Sequence, residues 1–92
     1  MAYMVYQLQI DEFDTWKASF DVDPIGRERA ARSHIILRGV DSPDQVFIRV
    51  EFDSVKDARS FRERFVLASG VLDWMTVLTP PTVVKIVENL TY

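Results

Sequence analysis

Six polar side chains could do chemistry together if the fold brought them to one surface: Gln7, His34, Arg38, Arg49, Glu51 and Lys85. Each lies in a stretch that reads as β-strand, where successive side chains alternate between the two faces of a sheet. With the apolar residues beside them, they would supply the mixture that a polar-lined pocket needs, either on the sheet surface away from the helices or between the sheet and the helices' open end. Trp74 follows a Ser69-Gly70 break and would stand near the mouth of that pocket as a flat stacking surface. The same polar set also suits an ordinary half-wet sheet face, or a subunit contact with cross-strand ion pairs. His34 is the only histidine and the only candidate base near neutral pH.

Other chemistries find little support. One histidine and no cysteine rule out thiolate or histidine-rich metal sites. A carboxylate-plus-histidine site stays open, but neither H-E-x-x-H nor the full D-x-[DN]-x-[DN]-G cation loop is present, Ile25 standing after Asp21-Val22-Asp23 where that loop needs Asp or Asn. Gly26, Gly39 and Gly70 are too far apart to form either glycine-rich phosphate loop. A nucleophilic triad would need His34 with Ser33 or Ser69, and nothing in the sequence orients such a pair. No cofactor is implied. Fourteen acidic and eleven basic residues give a net charge of −3, which opposes nucleic-acid binding. No apolar run approaches the ~20 residues that span a bilayer. Met1-Ala2-Tyr3-Met4-Val5 lacks a basic region and runs straight into strand pattern, so no signal peptide is expected and the expected location is the cytoplasm.

The elements that must position these residues follow from periodicity. Tyr3–Ile10 alternates, with Met4, Tyr6, Leu8 and Ile10 toward the core and Gln7 and Gln9 away from it. Asp11 is placed to cap a helix whose Phe13, Trp16 and Phe20 recur along one face, with Trp16 in the core. Asp23-Pro24 interrupts that helix, and a second helical piece is expected from Ile25 to about Arg32. His34–Val40 reads as a strand, Asp41-Ser42-Pro43-Asp44-Gln45 as its turn and Val46–Phe52 as the returning strand. Ile35 and Leu37 are expected beneath the helices, leaving His34, Ile36 and Arg38 on the other face. Val46, Ile48, Val50 and Phe52 are expected inside, leaving Phe47, Arg49 and Glu51 outside. Ser54 caps a helix to Val66 whose buried stripe is Val55, Ala58, Phe61 and Phe65. Val71, Leu72, Trp74 and Met75 suggest a short amphipathic turn, Pro80-Pro81 ends helical structure, and Thr82–Leu90 is the expected last strand, with Lys85 facing away from the helices.

The order β-α-β-β-α-β is ferredoxin-like, an α+β fold with a four-stranded antiparallel sheet, strands one and three central, and helices on one face. Residues 1–92 make one domain. A chain of 92 residues without cysteine can have no disulfide, and although 48% of it is hydrophobic it is too short to cover both sheet faces. A partner subunit is the expected cover.

Asp11-Glu12-Phe13-Asp14-Thr15-Trp16-Lys17-Ala18-Ser19-Phe20-Asp21 resembles the D-[FY]-D-x-W-K-x-x-F-D opening of small proteins in the dimeric α+β barrel superfamily. These are related to the antibiotic biosynthesis monooxygenases, and some are called cyclases. Asp41-Ser42-Pro43-Asp44-Gln45-Val46, Glu51-Phe52-Asp53-Ser54 and Asp57-Ala58-Arg59-Ser60-Phe61 are similar to the group's D-x-P-[ND]-x-V, E-[FW]-D-[DS] and [DE]-x-A-R-x-F. Met75 and Pro80-Pro81 match its late M and P-P. The resemblance implies a homodimer in which two sheets pack face to face around a cavity in each subunit. A histidine often seen near the end of the first strand falls at Leu8 here. Haem-degrading relatives use a first-strand Asn with a Trp and a His in the second half; this chain has Gln7 and Gln9 and no second-half histidine, so neither catalytic set carries over.

Two functions are therefore expected in competition. One is a dimeric barrel that binds a small apolar or aromatic molecule at Gln7, His34, Arg38, Arg49, Glu51, Trp74 and Lys85. The other is a cofactor-independent monooxygenase or cyclase acting on a polyketide-like aromatic substrate, with His34 as the base that forms a substrate carbanion. The direction of His34 discriminates them, since the enzyme needs it in the pocket.

Overall fold

A computed structural model describes residues 1–23, 25–67 and 76–92. Strand β1 (Ala2–Gln9) leads into α1 (Phe13–Val22), the single turn α2 (Arg27–Ala30), the hairpin β2 (Ser33–Arg38) and β3 (Gln45–Phe52), then α3 (Val55–Leu67) and β4 (Thr76–Lys85). The strands form one antiparallel sheet in the order β2-β3-β1-β4, so β1 and β3 are central and β2 and β4 are edges. This is the ferredoxin-like α+β arrangement expected from the sequence. No described helix is long and apolar enough to cross a membrane.

The core lies between the sheet and its helices, and alternation builds it. Met4, Tyr6 and Leu8 from β1 pair with Val50, Ile48 and Val46 from β3, and all six are buried. Phe52 continues the row at the far end of β3. Burying each of these large side chains contributes roughly 1.5–3 kcal/mol. From above, α3 supplies Ala58, Phe61 and Phe65, with Phe61 5.5 Å from the Phe52 ring and Phe65 5.2 Å from that of Tyr6. Burial pushes the Tyr6 phenol far above its ordinary pKa, so it stays neutral. Ser54 begins α3 as read, its hydroxyl accepting the Asp57 backbone N–H at 3.1 Å. At α1 the capping position is Glu12 rather than Asp11, and Trp16 is the residue of its aromatic stripe that enters the core.

Two expectations about the edges fail. The last strand runs from Thr76 to Lys85 and includes Pro80-Pro81, instead of starting after them at Thr82 and continuing to Leu90. Proline lacks an N–H and is excluded from central strands, but an edge strand or a bulge tolerates it. Here both conditions hold: β4 is an edge, and its register against β1 shifts between Val5 and Gln7, where Pro80 and Pro81 sit, and again between Gln7 and Leu8. Pro81 is buried, and the Arg62 Nε donates to its carbonyl at 2.6 Å. The second failure concerns the facing of β2. His34, Ile36 and Arg38 lie opposite Val50, Ile48 and Val46, and so share the helix side, while Ile35 and Leu37 lie opposite Arg49 and Phe47 on the open side.

The loop between β2 and β3 fixes that facing. Gly39 donates to the Gln45 carbonyl at 3.0 Å and Gln45 to that of Ser42 at 2.9 Å, which sets Arg38 opposite Val46. A Cβ at Gly39 would stand 2.6 Å from the Ser42 carbonyl oxygen, so only glycine lets the chain turn this tightly. Ile10 then ties the end of β1 to the same loop through the Asp44 carbonyl, at 2.8 Å.

Candidate functional site

The open sheet face carries the candidate site. β1 presents Tyr3, Val5 and Gln7; β3 presents Phe47, Arg49 and Glu51 opposite them; β2 adds Ile35 and Leu37; and β4 adds Thr79, Thr82 and Val84. Phe47 is 38% exposed, Ile35 41% and Leu37 53%, so large apolar side chains stand on this face without full cover from the described residues. Near its middle is a half-open concavity of about 270 Å³, lined by Val5, Gln7, Leu37, Phe47, Arg49 and Thr79 among others. Its wall is mostly apolar.

Hydrogen bonds fix most of the polar groups on this face. The Gln7 amide donates to Gln45 Oε1 and accepts from the Thr79 hydroxyl, both at 3.2 Å, which locks its rotamer between β3 and β4. Glu51 accepts from the Tyr3 hydroxyl at 3.0 Å and from Ser33 at 3.4 Å, with the Arg32 guanidinium 4.0 Å away. The hydrogen bond to Glu51, with burial and the carboxylate's charge, raises the Tyr3 pKa against the opposing charge of Arg49. Arg49 itself lies across the Tyr3 ring, 5.5 Å from its centroid.

Of the seven residues expected in the site, the structure brings Gln7 and Arg49 together in the concavity, with Glu51 on the same face beyond it. His34 and Arg38 are on the opposite side of the sheet. The His34 ring meets the Phe20 ring edge-on at 5.1 Å, and the Arg38 guanidinium lies over Phe13 at 4.4 Å while its Nε donates to the Pro43 carbonyl at 3.1 Å. Both side chains flank Ile36 at the rim of the core, covering α1's outer aromatics and keeping their polar ends wet. Burial and the charges of Arg27 and Lys17 lower the His34 pKa, against the weaker pull of Asp21 and Asp23. Lys85 also moves to the helix side, because β4 pairs it with the buried Ala2. Trp74 lies outside the described residues, as do Pro24, Ser69, Gly70, Val71, Leu72 and Met75.

Sequence reasoning missed Leu37 and Thr79 as lining residues. Leu37 belongs to the run Ile35-Ile36-Leu37, in which alternation cannot choose a face. Thr79 falls before the proline pair, where no strand was expected. The signal for Leu37 was Gly39, which could have anchored the hairpin register.

No protein-family model matches the chain, and no curated protein matches it.

Proposed function

We propose that this chain is a cytoplasmic homodimer that binds a small apolar or aromatic molecule on the open face of its sheet, which a second copy covers. The observation that carries the proposal is the apolar concavity around Phe47, Leu37 and Val5, exposed on the face opposite the described helices. Gln7 supports it as a polar group already locked in place, the preorganisation that a binding wall needs. The likeness of the Asp11–Asp21 segment to dimeric α+β barrel proteins related to the antibiotic biosynthesis monooxygenases points the same way, since in that group two sheets pack face to face. His34 stands on the other side of the sheet against Phe20, so the placement of the candidate base favours binding over carbanion-forming catalysis.

A neutral flat probe tests this. Naphthalene-2-methanol should raise the melting temperature, with stabilisation approaching about 2.7 kcal/mol at a hundredfold excess over Kd. Phe47→Lys, which removes the concavity's aromatic wall, should abolish the shift while leaving the fold intact. An equal shift in Phe47→Lys would place binding elsewhere, and no shift in the parent protein would refute the proposal.

A further inference from the structure

The charges on the open face are unequally engaged. Glu51 is held by Tyr3, Ser33 and Arg32, and both ends of the Gln7 amide are bonded. Arg49 lines the concavity, yet among the described residues its guanidinium makes no ion pair and no hydrogen bond, only the contact with the Tyr3 ring. A guanidinium offers five donors in a planar fork that matches a carboxylate. Beside it stand Val5, Leu37 and Phe47, which would take an apolar or aromatic body. The acid on the same strand face, Glu51, has its oxygens turned to Tyr3 and Ser33 and does not pair with the fork.

Resting on the binding role proposed above, we propose that the ligand is an amphipathic acid: a flat apolar or aromatic body bearing a carboxylate that Arg49 receives, with the body against Phe47 and Leu37. Gln7, fixed by Gln45 and Thr79, shapes the wall and does not select the charge. The acid is thus recognised by complementarity of both surface and charge.

Calorimetric titration of the whole chain with 2-naphthoate and with naphthalene-2-methanol separates the two claims. The acid should bind at least about tenfold more tightly than the alcohol, the usual gain from a charged hydrogen bond. Arg49→Gln should remove that advantage, so that acid and alcohol bind the variant equally, while Arg49→Lys should restore only part of it. Equal affinities for acid and alcohol, or an advantage that survives Arg49→Gln, would overturn the anion preference and leave the apolar site standing. Binding of neither probe would overturn both.

Discussion

Asp23 joins backbone, charge and packing at one position. It ends α1 with φ 55°, a left-handed conformation that aspartate tolerates better than most side chains, and its carboxylate accepts the backbone N–H groups of Arg27 at 2.7 Å and Glu28 at 3.0 Å. Those are first-turn donors of α2 that the helix itself cannot satisfy. Arg27, only 9% exposed, lies 3.7 Å over the Phe20 ring and donates two long bonds to the Phe20 carbonyl, so the carboxylate also anchors a buried cation. Burial alone would raise the Asp23 pKa, but the two amides and the guanidinium outweigh it and hold the carboxyl below its ordinary value. A carboxylate depressed in the folded state adds stability above the unfolded pKa and loses it as pH falls through the folded one. Asp23→Ala should therefore cost about 1 kcal/mol or more at neutral pH. Urea titrations should show that gap narrowing below the ordinary value of 3.8, and a gap unchanged by acid would mean that the charge contributes nothing.

At the level of elements, strict alternation was readable and apolar runs were not. β1 and β3 place Met4, Tyr6, Leu8, Val46, Ile48, Val50 and Phe52 where their periodicity puts them, and so Gln7, Arg49 and Glu51 fall on the open face. β2 has three apolar residues in succession, and counting hydrophobicity assigned two of them to the core. The fold keeps one, Ile36, because Phe13 and Phe20 of α1 cover the rim through contacts with Arg38 and His34 that hydrophobic counting does not register. β4 was misplaced because a proline pair is a stop signal within a chain but is tolerated at the border of a sheet. Lys85 was misfaced with it, since only pairing to β1 past the bulge sets its side. The helix-side facing of β3 can be tested at Val50, 1% exposed beneath the helices. Val50→Asp would bury an unpaired charge at a cost of several kcal/mol, comparable to the whole stability of a small domain. Near-UV circular dichroism should show loss of fixed packing, and an unchanged melting temperature would mean that the helix-side assignment of β3 is wrong.

For the molecule as a whole, the open face poses a problem of solvation. Ile35, Leu37, Phe47 and Val84 are exposed together, and a second copy would bury them most economically by meeting the same face. Sedimentation velocity at micromolar concentration should therefore give a dimer, with about 2,000 Å² or more buried in total. Leu37→Asp should yield a folded monomer by putting like charges into the contact. A stable monomer in the parent protein would rule the arrangement out. Pro80 and Pro81 bear on a different kind of association. A sheet with two open borders can recruit strands end to end without limit, which is how ordered aggregates propagate. On β4 the consecutive prolines leave a gap in the outward-facing donors, at the point where the bulge already bends the strand. Of the two described edges, β2 is the one without proline, so border-to-border joining through it would link two copies and then stop. The proline pair thus disfavours strand addition at β4 and opposes open-ended growth of the sheet.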